Sequence, residues 1–450
     1  MEIFDIPAKV MKLVKKFQKE KASIYIVGGA TRDLLLKREV KDWDFATNLT
    51  PMQMKKMFPK NSFCNNEFGT FSIIGENKEI FEVTTFRTEG QYSDKRHPDK
   101  IKFGKTIEED LGRRDFTINA IALEINDDKG KLPKVRLIDL FGGKKDIENK
   151  TLRTVGKAED RFNEDALRMM RAVRIANDIS FAIEEKTFEA IIKLSGTIKA
   201  IAAERIKDEL FKILKSDSPV KGIELLWKAK LMEQILPEPL EGIGIEQKGH
   251  HVDDVWTHNL KTLGNCQTKD PITRLACLLH DVGKPRSLMI TGKERTFYNH
   301  EIIGSRIARA IGQRLRLSKA ESDKLFRLVR WHMFSSSETQ TDKAVRRFIR
   351  KVTLDLVDEM IDLRRADRLG SGAKETSWRW ELFKKRIVEV QKQPFSIKDL
   401  KINGLDVMEI LNEKPGKKIG DVLKAIFLRI EEQPGLNERE ILLKMVEEYK

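Results

Sequence analysis

The chain has 450 residues, 40% of them hydrophobic and 34% charged, with a net charge of +15 and a pI near 9.4. That length is too great for one ordinary core and implies two to four domains, and the charge favours a polyanionic partner over a basic surface with no partner. Three cysteines at unrelated spacings (Cys64, Cys266 and Cys277) exclude a disulfide framework and a zinc-site spacing, and fit a reducing cytosol.

The opening MEIFDIPAKVMKLVKKFQKEKAS reads as an amphipathic, lysine-rich helix. It lacks an apolar core followed by a small-residue cleavage site, so it is not a secretion signal. No uncharged apolar run approaches the ~20 residues of a membrane span, and no membrane partner is expected. Ile24 to Val27 is a short buried strand, Gly28-Gly29 a turn, and a helix begins near Thr31. Strand signals recur at Asp42–Ala46, Thr70–Ile74 and Ile80–Phe86, with helical periodicity over Met52–Met57. Together these predict an α+β head with a small mixed sheet over residues 1–150. From Ala158 onward the pattern is almost entirely helical. Pro237, Pro239, Gly242, Gly244 and Gly249 break it and mark a boundary. A histidine-rich helical block runs from about His251 to Gly370, Gly370-Ser371-Gly372 resembles a hinge, and a lysine-rich helical tail follows to Lys450, interrupted at Lys414-Pro415-Gly416. The chain contains no internal repeat and no low-complexity tract.

The sharpest local feature is Lys41-Asp42-Trp43-Asp44-Phe45. On a strand, residues two apart share a face, so Asp42 and Asp44 project together while Trp43 and Phe45 face the core. Two adjacent carboxylates repel one another, and a divalent cation relieves that; Mg²⁺ suits such a pair together with substrate phosphates. Upstream, Val27-Gly28-Gly29-Ala30-Thr31-Arg32-Asp33 forms a strand, a glycine turn and a helix start. Glycine allows close backbone approach to a phosphate, the helix start offers free N–H groups, and Arg32 brings a fork of donors. A solvated surface pair and an ordinary tight turn are the bland alternatives. Glu82, on another strand, is either a third acidic group or a plain exposed strand glutamate.

These residues, in this order, resemble the class II tRNA nucleotidyltransferase and bacterial poly(A) polymerase family over nearly the whole chain. GGATRD and DWDFAT are similar to its nucleotide-binding and catalytic motif. EVTTFRTEGQYSDKRHP and TIEEDLGRRDFTINAIA are similar to its flexible loop and ribose-recognising segment, and RFNEDALRMMRAVRIA to its base-selecting helix. The resemblance implies a nucleotidyltransferase-type head (1–150), a helical neck carrying the selecting helix (151–240), an HD-type helical domain (241–370) and an RNA-binding helical tail (371–450). It implies that Asp42 and Asp44 hold Mg²⁺, that Gly29, Arg32 and Arg114 contact nucleotide phosphates and sugar, and that Asp115 selects ribose through its 2′-hydroxyl. Asp165, Arg168, Arg171 and Arg174 would belong to nucleotide selection, supported by Glu164. Lys37 departs from the family's expected glycine, outside the motif side chains.

The selecting segment also has a direct physical reading. Cytosine and adenine each present an exocyclic amine beside a ring-nitrogen acceptor, so an aspartate and an arginine can accept and donate to them; uracil and guanine present a carbonyl and an N–H there. Asp165 and Arg168, three apart on a helix, would be neighbours, whereas Arg174 lies about half a turn away and a structural salt bridge is its alternative. An i,i+3 ion pair is the bland reading of Asp165 and Arg168 by themselves. The loop from Thr88 to Leu111, with Lys95, Arg96, His97 and Lys100, goes in the family with the ability to add the terminal A.

Of seven histidines, His258, His280, His300 and His332 fall in the second helical block, with His251 a marginal fifth. LLHDVGKP matches the HD phosphohydrolase motif, and a site built from His258, His280, Asp281 and Asp367 would take a second divalent metal; a metal-free hydrogen-bonded scaffold is the alternative. In the tail, Lys384, Lys385, Arg386, Lys398, Lys401, Lys417 and Lys418 suit an RNA backbone or a solvated face equally.

The expected activity is CCA addition to tRNA in the cytoplasm, using CTP and ATP, with no obligate protein partner. The rivals are an A-adding specialist, a poly(A) polymerase of the same family, an HD phosphohydrolase and a non-catalytic RNA-binding protein. The stretch Phe63–Thr70 lacks the extra basic signature associated with the poly(A) polymerases.

Overall fold

The computed structural model describes residues 4–64, 70–76, 78–89, 101–126, 134–247, 253–292, 294–334, 341–391 and 397–450. They form two compact units, Met1–Pro237 and Glu238–Lys450. Lys95, Arg96, His97, Lys100 and His251, and the middle of the Phe63–Thr70 stretch, lie outside the described residues.

The first unit is built on a seven-stranded sheet. Its strands are β1 (Ile24–Ile26), β2 (Trp43–Thr47), β3 (Ser62–Cys64), β4 (Thr70–Ile74), β5 (Ile80–Thr85), β8 (Ile121–Asn126) and β9 (Lys134–Asp139), in the order β3-β4-β5-β2-β1-β8-β9; β6 (Arg87–Glu89) and β7 (Ile101–Phe103) form a separate antiparallel ribbon. Within this sheet β2 and β5 pair in parallel and the other described pairs are antiparallel, and the β2–β5 register sets Asp44 opposite Glu82. The sheet is therefore mixed, as expected. β3, β8 and β9 were not anticipated: β3 is a short strand with Phe63 43% exposed, and its residues show no buried alternation to read.

The amphipathic opening helix spans Ala8–Lys19 and buries Val10, Leu13, Val14 and Phe17 in a core with Trp43, Phe45, Phe71, Phe81 and Val83. Burying such apolar side chains is the main favourable term holding this layer to the sheet. The helix after β1 begins at Gly28, earlier than Thr31, because Gly28 adopts φ +67 and turns the chain sharply out of the strand. Thr31 then donates its hydroxyl to the Ile26 carbonyl at 2.9 Å and pins the turn.

Beyond the sheet the described residues are mainly helical, with two-stranded exceptions at Thr151–Leu152 with Ala182–Ile183 and at Met289–Thr291 with Glu294–Thr296. The selecting segment is not one continuous helix. A helix Ala158–Glu164 ends at Asp165, which is extended (φ −146, ψ 104), and a second helix runs Leu167–Ile179. The physical reason is local: the Asp165 carboxylate accepts the Leu167 N–H at 3.0 Å, a cap that competes with helical continuation. In the second unit the helices Val255–Asn265 and His300–Arg314 carry His258 and His300, His280 and His332 cap the C-terminal ends of Pro271–Leu279 and Lys319–Trp331, and Val357–Gly370 carries Asp367. The tail closes a small core of its own from Leu400, Val407, Ile419, Ile426, Ile430, Leu442 and Val446. No helix among the described residues is long and apolar enough to cross a membrane.

Candidate active site

Asp44 projects from β2 between the buried Trp43 and Phe45, while Asp42 sits exposed in the bend just before the strand. Burial pushes the Asp44 carboxyl up to about 6; Arg114 pulls against this, and Glu82 and Asp42 add to it. Three carboxylates thus bear on one another at the end of a parallel strand pair, and an added cation would relieve their repulsion. Gly28 closes one side. A Cβ there would lie 3.1 Å from Arg114 Nη1 and 3.2 Å from Asp44 Oδ2, in a backbone conformation that side chains avoid. Gly29, singled out from sequence, has no such constraint: its nearest neighbour would be Arg32 Nη2 at 3.6 Å.

The arginines are set by buried acceptors. Asp110, fully buried, takes Arg113 on Oδ1 (2.7 Å) and Arg114 on Oδ2 (3.0 Å), and these cations outweigh burial to hold its carboxyl below the usual range. Arg32 donates from Nε to Asp33 (2.9 Å) and from Nη1 to Asn119 Oδ1 (3.1 Å). Asn119 in turn donates to Asp115 Oδ1 at 3.3 Å, and Asp115 Oδ2 receives Arg171 at 2.8 and 2.6 Å. A continuous polar chain therefore runs from the Gly28–Leu35 helix to the Leu167–Ile179 helix. Burial opposes charge on Asp115, but Arg171 and Arg168 outweigh it and bring its pKa down to about 2.

The four residues of the selecting segment find four different partners. Asp165 accepts Arg205 at 2.7 Å on Oδ2 and 3.3 Å on Oδ1, not Arg168. Arg168 pairs with Glu164 at 2.6 Å and donates to the Arg113 carbonyl at 3.3 Å. Arg171 binds Asp115, and Arg174 binds Glu209 at 2.6 Å and Asp178 at 3.4 Å. Asp165 and Arg168 remain neighbours through the backbone, the Arg168 N–H donating to the Asp165 carbonyl at 3.0 Å, while their side chains pair with Arg205 and Glu164. Sequence reasoning missed Asp110, Asn119, Arg205 and Glu209. Asp110 and Asn119 lie inside the quoted TIEEDLGRRDFTINAIA, but Arg205 is 40 residues from Asp165 and carries no local signal.

The second unit gathers a separate cluster. His258, His280 and Asp367 offer donor atoms within 4.8 Å of one another, and so do Asp281, His300 and His332, all buried. Asp281 joins the groups: Oδ2 lies 3.3 Å from His280 Nε2 and Oδ1 lies 3.3 Å from His300 Nε2. His280, His300 and His332 each direct Nδ1 to a backbone carbonyl, of Cys277, Phe297 and Val329, at 2.8–2.9 Å. That arrangement places a proton on Nδ1 and turns Nε2 toward the cluster. Burial pulls the His280 pKa down, but Asp281 and Asp367 outweigh it and push it up to about 10. Lys284 also reaches Asp281 Oδ2, at 2.6 Å. All four residues expected here converge, and His300 and His332 join them.

Comparison with known proteins follows this division. The chain matches the families described as Poly A polymerase head domain (residues 24–153), Probable RNA and SrmB-binding site of polymerase A (180–241) and HD domain (255–371). It is similar to a CCA-adding enzyme of Ligilactobacillus salivarius, 32% identical over 437 residues that cover 97% of this chain and 95% of that protein. It is also 32% identical to a CCA-adding enzyme of Streptococcus thermophilus, with both chains fully covered. Among solved structures it is similar to the Bacillus stearothermophilus CCA-adding enzyme in complex with CTP, with a TM-score of 0.71 at 26% identity over 98% of this chain and 96% of that one. It shares the fold of the Thermotoga maritima CCA-adding enzyme complexed with tRNA, with a TM-score of 0.57 at 21% identity and both chains fully covered.

Proposed function

Because this chain belongs to the family of CCA-adding enzymes, we infer that it transfers CMP and AMP from CTP and ATP to the 3′ end of tRNA without a nucleic-acid template. The tRNA 3′-hydroxyl attacks the α-phosphorus of the bound nucleotide, and pyrophosphate leaves. The observation that carries this reading is the carboxylate set of Asp44, Asp42 and Glu82, whose mutual repulsion and partial burial fit a hard divalent cation. Asp42 and Asp44 would hold Mg²⁺, with Glu82 facing them from β5. Magnesium, when bound, supplies Lewis-acid activation of the attacking hydroxyl and neutralises charge on the leaving pyrophosphate.

The protein's own groups position the nucleotide. The Gly28–Gly29 turn admits the phosphates, and Arg32 and Arg114 meet them with donors already aligned by Asn119 and Asp110. Asp115 faces the ribose, and Asp165 and Arg168 address the base edge from either side of the helix break. Arg171 and Arg174 support that surface through Asp115 and Glu209. The chemistry belongs to the head (1–150) and neck (151–240), and the basic tail (371–450) meets the tRNA backbone. A cytoplasmic site of action goes with this reading, as the compartment in which a tRNA substrate would be met.

The test offers tRNAs ending at the discriminator base, at C and at CC, with CTP, ATP or both. Growth by three residues only with both nucleotides supports CCA synthesis. Addition only to the CC end points to the A-adding specialist, and long A tails to the polymerase. Asp42→Ala should abolish addition, at least ~1,000-fold; retained activity places the chemistry elsewhere.

A second activity is favoured by the histidine cluster. Buried Nε2 atoms meeting carboxylate oxygens form a donor set suited to a divalent transition metal. His258, His280, Asp281 and Asp367 would hold it, and the metal when bound supplies an activated water for phosphoester hydrolysis. Metal analysis together with turnover of a 2′,3′-cyclic nucleotide decides between this and a metal-free scaffold.

A further inference from the structure

We infer that Arg205 is a positioning residue for base selection, holding the Asp165 carboxylate in the one orientation that accepts an exocyclic amine. This rests on the reading of Asp165 as a base-contacting group. Asp165 stands at the break between two helices, in extended backbone, with its N–H on the Arg161 carbonyl at 3.4 Å and its own carbonyl accepting the Arg168 N–H at 3.0 Å, so the backbone is fixed while the side chain needs partners of its own. Its side chain is 15% exposed and is held at both oxygens: Leu167 N–H takes Oδ1, and the Arg205 fork takes Oδ1 and Oδ2. One lone pair on Oδ2 remains for a ligand.

Arg205 is itself anchored. It sits in the first turn of the helix Ala203–Lys215, which buries Ile206, Leu210, Ile213 and Leu214. One turn further on, Glu209 of that helix binds Arg174 of the helix Leu167–Ile179. The Ala203–Lys215 helix therefore grips the selecting segment at both ends, Asp165 and Arg174.

Rigidity matters here because rejection of UTP and GTP depends on it. A fixed carboxylate facing a base carbonyl sets acceptor against acceptor, and that penalty discriminates only while the carboxylate cannot turn away. An aspartate released from its fork can rotate toward water. It then binds the right bases more weakly, through lost ordering, and opposes the wrong ones less.

The test uses the full chain with tRNA substrates and compares Arg205→Met and Arg205→Lys with the parent in kcat and KM for CTP, ATP and UTP. Arg205→Met should raise KM for CTP and ATP about tenfold, leave kcat within about threefold, and lower CTP-over-UTP selectivity about tenfold or more. Arg205→Lys, which keeps the charge but loses the planar fork, should show an intermediate loss of selectivity. Parental selectivity in Arg205→Met overturns the inference; should that variant not fold, parental selectivity in Arg205→Lys overturns it. Asp165→Asn separates the two ideas. If it retains selectivity, the base-contact reading itself is wrong. If it loses selectivity while Arg205→Met keeps it, only the role of Arg205 falls.

Discussion

Asp115 and Arg171, 56 residues apart in sequence, meet in an ion pair in which Arg171 Nη2 and Nε both donate to Asp115 Oδ2, at 2.6 and 2.8 Å, and which ties the sheet-bearing part of the first unit to the helix Leu167–Ile179. Asp115 is 8% exposed, and the pair brings its pKa down to about 2 against burial. An unfolded aspartate titrates near ~3.9. The folded form therefore releases its proton more readily, and the pair adds stability that is fully present above about pH 4 and is lost as pH falls toward 2. Arg171 is 36% exposed, so solvent screening trims the contribution to about 2 kcal/mol. Denaturant melts from pH 7 to 2 should show Asp115→Asn less stable at neutral pH by about that amount, with the difference from the parent vanishing in acid. A constant difference across the range would show that the pair does not set the titration.

Gly28 is where backbone geometry and chemistry coincide. Gly28→Ala forces a side chain into φ +67 and puts a methyl group against Arg114 and Asp44. Stability should fall by about 1–2 kcal/mol, and nucleotide transfer about 100-fold through displacement of those groups. Gly29→Ala, in ordinary helical backbone with only Arg32 Nη2 nearby, is the matched control and should cost much less on both counts. Thermal melts and single-turnover transfer assays read the two effects separately; equal losses in the two variants would contradict the assignment of strain to Gly28.

The histidine cluster predicts a metal dependence separable from nucleotide addition. His280→Ala should reduce retained transition metal, measured by elemental analysis after dialysis, to background. CCA addition should stay within about twofold, since no residue assigned to nucleotide handling lies in the Glu238–Lys450 unit. Unchanged metal content would favour a hydrogen-bonded scaffold, and collapse of CCA addition would tie the cluster to the transfer reaction.

Contiguous motifs made much of the site legible in advance. The Asp42–Asp44 pair, the glycine turn and the RRD segment each occupy a few neighbouring residues, and strand or turn periodicity predicts where their side chains point. Periodicity failed where a side chain competed with the backbone. Nothing in the spacing of RFNEDALRMMRAVRIA distinguishes one helix from two, and Asp165 breaks it by capping the Leu167–Ile179 helix with its own carboxylate. The edge strand β3 was missed for a related reason: an exposed edge has no buried face to pattern.

What the amino-acid order determined by itself was the chemical inventory: an acidic pair at the start of a strand, arginines three apart, histidines spread through a helical block, and a basic tail. Local rules suffice for these, because strand and helix periods act over a few residues. Tertiary structure decided which charges neutralise one another. It set Glu82 across from Asp44 through a parallel pairing, gave the Asp165 side chain to Arg205, and drew four histidines and Asp367 around Asp281 from five helical segments. Pairings across 40 residues and more follow from how helices pack and strands register, and no sequence period reaches that far.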